Sequence, residues 1–141
     1  MSSLLESIED APGAILWITT KSEPAREGWQ RLLVTTLDHD DGVDPKRLGD
    51  LRSAATAFLE RHGDGLILLD CIEALTLHNG VERVARMVQD LHDEIATRGA
   101  VLVVLVDPHS TNPRLVAWLE RELDELPHPP LQWVTPETPF A

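Results

Sequence analysis

The chain contains apolar runs too short to be helices and too uniformly apolar to lie half-exposed. Leu66-Ile67-Leu68-Leu69 and Val101-Leu102-Val103-Val104-Leu105-Val106 carry no polar residue at any position. A strand with one solvated face alternates apolar and polar side chains. A strand that is apolar throughout has to be covered on both faces, which is the situation in parallel sheets flanked by helices. Residues 14–19 and 31–37 read as two further strands, and Leu131-Gln132-Trp133-Val134 as a final short one.

Helical periodicity separates these runs. Ser3-Leu4-Leu5-Glu6 has the form of a capping box opening a short helix that Ala11-Pro12-Gly13 ends. Asp44-Pro45 is read as cap and first residue of a helix whose stripe is Leu48, Leu51, Ala54, Ala55, Phe58 and Leu59, with Gly63 as a left-handed terminator. Residues 72–78 lead away from the third strand into an Asn79-Gly80 turn. The next helix carries Val81, Val84, Ala85, Val88, Leu91 and Ile95 inward and stops at Gly99. Asn112-Pro113 opens a last helix with Leu115, Leu119, Leu123 and Leu126 inward. Strand and helix in turn predict an α/β fold: a three-layer αβα sandwich on a mostly parallel sheet of about five strands, RecA-like or flavodoxin-like. One domain over residues 1–134 with a short tail, 135–141, is expected from the length of 141 residues.

Composition removes several classes of function. With 24 acidic against 12 basic residues the net charge is −12, which repels polyanions and argues against a nucleic-acid partner. No run approaches the ~20 apolar residues of a membrane span. Met1 to Glu6 has neither the basic region nor the apolar stretch of a secretory signal. Cys71 is the only cysteine, so no intrachain disulfide can form, in keeping with a reducing, cytoplasmic setting. The histidines at 39, 62, 78, 92, 109 and 128 form no ligand pair at metal-binding spacing, so no metal or other cofactor is expected.

In a parallel sheet of this kind ligands bind beyond the strand C-termini, where the strand order reverses. The residues carried to that edge are Thr19, Thr20 and Lys21, then Asp38 and His39, then Asp70 and Cys71, then Asp107, His109 and Ser110. Thr19-Thr20-Lys21-Ser22-Glu23-Pro24 has no glycine with which backbone amides could converge on a phosphate. A receiver-type phosphoacceptor site lacks its acids after the first strand and its lysine after the fifth. Cys71 stands among acidic neighbours, which suits a quiet core thiol better than a nucleophile. No complete catalytic set emerges. Lys21, Asp70 and Asp107 remain as a candidate ligand edge, and Asn79, Gly80, His109 and Trp118 as candidate interface residues.

Several segments resemble one family. Gly65-Leu66-Ile67-Leu68-Leu69-Asp70-Cys71-Ile72-Glu73-Ala74-Leu75, His78-Asn79-Gly80-Val81-Glu82-Arg83-Val84, the strand ending in Asp107-Pro108 and Leu119-Glu120-Arg121-Glu122-Leu123 are similar to motifs of domain of unknown function family 835. Pro45-Lys46-Arg47-Leu48-Gly49-Asp50-Leu51 fits the same family, and the resemblance spans about residues 14 to 126. It implies a small archaeal and bacterial domain that accompanies sensor, receiver and histidine-kinase modules, with no catalytic residues to carry over. More remotely, the segment around Asp70 resembles a RecA- or KaiC-like core without its phosphate loop. The expectation is a non-catalytic interaction or regulatory domain with a protein partner or a second copy of itself. The alternative is a nucleotide- or phosphometabolite-binding protein that uses the sheet edge.

Overall fold

A computed structural model describes residues 14–22, 28–37, 42–107 and 109–123. The described residues fall into two compact units, one up to Leu105 and one from Val106 on. The first holds β1 (Ile15–Thr19), β2 (Trp29–Val34), β3 (Gly42–Val43), α1 (Leu48–Arg61), β4 (Leu66–Leu69), α2 (Ile72–Asn79), α3 (Val81–Arg98) and β5 (Val101–Val104). The second holds α4 (Pro113–Glu122).

The five strands form one sheet in the order β3-β2-β1-β4-β5, and every neighbouring pair is parallel. Leu66 to Leu69 pair in register with Val101 to Val104, and with Ile15 to Ile18 on the other side. All residues of β1 and β4 are buried, so both faces of the sheet centre are covered, as their unbroken apolar runs require. Each such side chain contributes about 1.5–3 kcal/mol when fully withdrawn from water. Without the two-residue β3, the remaining strands run 2-1-3-4, the order in which a flavodoxin-like sheet begins.

The predicted α/β architecture is present, with local corrections. Gly42 and Val43 form the short β3, which lies outside the strands read from sequence, and Leu131 to Val134 lie outside the described residues. The helix predicted from Asp44-Pro45 starts later, at Leu48. Asp44 instead closes a turn, its Oδ1 accepting from the Lys46 amide at 2.8 Å and its carbonyl from the Arg47 amide at 2.9 Å. Gly63 is not left-handed; the helix ends at His62. Residues 72–79 are a full helix rather than a connection, and Gly80, at φ +85°, separates α2 from α3. Gly99 terminates α3 in the left-handed conformation, and Asn112 caps α4 through Oδ1 to the Arg114 amide at 2.8 Å. Gly65 is required by close approach: a Cβ there would lie 2.8 Å from the Phe58 ring.

Right-handed crossovers that step the same way along the sheet lie on the same face. α1 and α3 are the two such crossovers, and they meet side by side. Arg52 pairs with Asp90 at 3.4 Å and with Glu94 at 3.1 Å, and the Thr56 hydroxyl donates to Glu94 at 2.9 Å. Arg52 to Asp90 followed by Thr56 to Glu94 means that the two helices run in the same direction. Arg98 adds a second cation to Glu94 at 3.4 Å.

Candidate functional site

The chain leaves β1 toward β2 and leaves β4 toward β5, so the order reverses between the C-terminal ends of β1 and β4. Lys21 and Asp70 meet there. Trp17 is opposite Leu68 in the β1–β4 register, and Asp70 follows Leu68 by one pleat repeat, so the indole and the carboxylate share a face. Trp17 Nε1 donates to Asp70 Oδ2 at 2.8 Å, and Lys21 Nζ stands 4.0 Å from the same oxygen. The lysine side chain is 55% exposed and the aspartate side chain only 9%. Trp29 packs edge-on against Trp17 at 6.0 Å between ring centroids and braces the indole.

Burial pushes the Asp70 carboxyl above its ordinary value. The Trp17 N–H, the Thr19 hydroxyl and the Lys21 charge oppose that rise, while Glu73 adds to it. Oδ1 of Asp70 is buried and has no hydrogen-bond partner among the described residues. Thr19 is fully buried, and its hydroxyl accepts from the Lys21 amide at 3.1 Å, which turns the chain at the end of β1. Next to Asp70, Cys71 is buried with its Sγ 3.7 Å from the Ile18 carbonyl. Burial, reinforced by the Asp70 and Glu73 charges, drives its thiol strongly toward the protonated form. Such a sulfur packs as a core atom, and its thiolate form is disfavoured.

Asp107 belongs to the other unit, and its role there is local. Oδ1 accepts from the His109 amide at 2.9 Å, and its carbonyl accepts from Ser110 and Thr111 at 3.1 and 3.0 Å. The His109 amide, then the Ser110 side chain, hold its carboxyl below the usual range. His109 is exposed on the same turn and Trp118 is half-buried on α4. Asp38 and His39 lie outside the described residues.

Asn79, placed by sequence among the interface residues, has an internal task. Its Nδ2 donates to the Pro45 carbonyl at 2.7 Å and the Leu75 carbonyl at 2.8 Å, tying the end of α2 to the turn before α1. Gly80 supplies the positive φ that this joint needs. The residue that sequence reasoning missed is Trp17. Its signal was available, since parallel pairing of residues 15–18 with 66–69 aligns Trp17 with the face that carries Asp70.

Among the described residues no three His, Cys, Asp or Glu side chains gather to hold a metal ion, and no helix is long and apolar enough to cross a membrane. The fold and this edge define an α/β domain with an all-parallel sheet and a lysine–aspartate pair at its switch point. The chain belongs to the family described as "Protein of unknown function (DUF835)", which matches residues 2–123. No curated protein and no solved structure shows significant similarity to it.

Proposed function

We propose that this chain is a non-catalytic interaction domain of a regulatory or signalling system, engaging a protein partner or a second copy of itself. The observation that carries this reading is the Trp17–Asp70 hydrogen bond. At the position where such sheets bind ligands, the carboxylate is turned under an indole of its own chain and is nine-tenths buried. The stretch Thr19 to Pro24 at the end of β1 has no glycine with which backbone amides could cradle a phosphate. The association of family 835 with sensor and kinase modules, implied by the resemblance, supports the same direction. Titration calorimetry against ATP, GTP and their diphosphates with magnesium is expected to give no binding heat. Tight ATP binding that is lost in Asp70→Asn would overturn the reading.

A second reading, a nucleotide- or phosphometabolite-binding protein, draws on one feature of the same edge. Lys21 is largely exposed and only loosely paired at 4.0 Å, and Asp70 Oδ1 has an open acceptor position. A phosphate on the ammonium and a magnesium ion on the carboxylate would use both. A thermal-shift screen of nucleotides and second messengers tests it, since a ligand that binds only the folded chain raises Tm.

A further inference from the structure

A groove of about 540 Å³ runs between α1 and α3, away from the switch point. Leu48 and Met87, both buried residues, form its apolar floor. Gly49 lines it as well, and a Cβ on Gly49 would meet nothing within 4 Å, so the groove is open at that point. Its charged rim is unusual for this chain. Arg83 and Arg86 are exposed one turn apart on α3, and neither has an ion-pair or hydrogen-bond partner among the described residues. Like charges at that spacing repel on a helix surface. The chain has twice as many acids as bases, 24 against 12, so unpaired neighbouring arginines are not a matter of short supply.

Two acids also line the groove. Asp90 pairs with Arg52 at 3.4 Å, and Glu82 has a partner of its own. The backbone adds to the sign of the arginines. α1 and α3 run in parallel, the groove lies along their N-terminal halves, and neither helix start has a side-chain cap. The positive dipole ends of both helices therefore lie near the two arginines.

We infer that the α1/α3 groove is the docking site of an acidic, amphipathic peptide segment of a partner protein, its carboxylates on Arg83 and Arg86 and an apolar side chain over Leu48 and Met87. The inference rests on the interaction-domain reading and names the partner chemistry for it. Carboxylate rather than nucleic-acid phosphate is the occupant that the charges favour. Beyond the groove a polyanion would meet the field of a chain with net charge −12, whereas a short segment meets the groove itself, where Arg52, Arg83 and Arg86 outnumber Glu82 and Asp90.

The test is fluorescence anisotropy of the full chain with a short fluorescein-labelled peptide that places glutamate pairs around a leucine. Binding is expected at low salt, weakening as salt rises. Arg83→Glu with Arg86→Glu should weaken it by about tenfold or more, from two lost pairs and two new repulsions. Gly49→Leu fills the open wall without touching a charge or a strained backbone angle, and should also reduce binding. No binding of the peptide overturns the proposal. So does equal binding of the glutamine version of the peptide, or equal competition by a single-stranded DNA oligonucleotide, which would assign the arginines to phosphate. Peptide binding that survives both variants overturns the groove and leaves the interaction domain standing. Asp70-dependent ATP binding in calorimetry removes the interaction-domain reading, whatever the peptide does.

Discussion

At the β1/β4 edge Lys21 faces a carboxylate over which the fold has already closed, whereas on the α1/α3 face Arg83 and Arg86 stand one turn apart with no ion-pair partner among the described residues. Both regions put cations beside the starts of helices, where anions are favoured. At the edge that preference is met from within, by Asp70 just before α2, with Trp17 holding its oxygen. At the groove it is left unmet, above an apolar floor. The difference teaches that the topological position of a ligand site does not by itself make one. At the switch point the carboxylate is held by its own chain through one oxygen, while on the α1/α3 face two cations have no partner among the described residues.

Perturbing each region should therefore have opposite consequences for stability and for binding. The largest effect is expected from Trp17→Ala, which removes a buried ring and strips the donor from Asp70. About 3–5 kcal/mol should be lost in urea unfolding, and a loss below about 1 kcal/mol would mean that the edge is not the closed structure described. Gly65→Ala probes the packing at the opposite, N-terminal end of β4. Its Cβ would be forced to 2.8 Å from the Phe58 ring, and a loss of about 1–3 kcal/mol is expected because that ring is buried. Arg52→Ala removes the cation shared by Asp90 and Glu94, and should cost about 1 kcal/mol, since Arg98 and Thr56 still serve Glu94. Smallest is Arg83→Ala with Arg86→Ala. It relieves a repulsion and should leave stability unchanged or raise it by about 0.2–0.5 kcal/mol.

Acid titration sharpens the comparison from the other side. In the folded chain Asp70 holds its proton at pH values where the unfolded chain, with the ordinary value of 3.8, has released it. Through this group the fold gains stability as pH falls from above the raised value toward 3.8, and gains nothing more below. Asp70→Asn abolishes that gain. The stability difference between Asp70→Asn and the parent chain, from urea midpoints across the acid range, should shift in favour of the parent as pH falls. A pH-independent difference would show that Asp70 is not buried as described.

The sheet was largely legible from sequence because Leu66 to Leu69 and Val101 to Val106 leave no other way to bury two faces. α3 was legible for the same reason, with Val84, Val88, Leu91 and Ile95 at helical spacing, although Met87 escaped the predicted stripe. What failed was local. The starts and ends of α1 depend on whether Asp44 caps a helix or closes a turn, and both use the same side-chain acceptor. α2 was hidden because Asn79-Gly80 reads as a turn, and the sequence does not show that the Asn79 amide reaches back to Pro45. At the edge, Asp70 and Lys21 were found from their positions after strands, but Trp17 was not, since a tryptophan inside an apolar run reads as core. The groove was invisible, because it requires knowing that α1 and α3 lie side by side and parallel.

The most direct test of the closed edge is the Trp17 indole resonance in a two-dimensional ¹⁵N–¹H spectrum, assigned among the 4 tryptophans by its loss in Trp17→Phe. Its N–H should not move on addition of ATP with magnesium, and should shift as Asp70 takes up its proton in acid. A saturable shift with ATP at neutral pH, abolished by Lys21→Ala, would contradict the account and return the switch point to ligand binding.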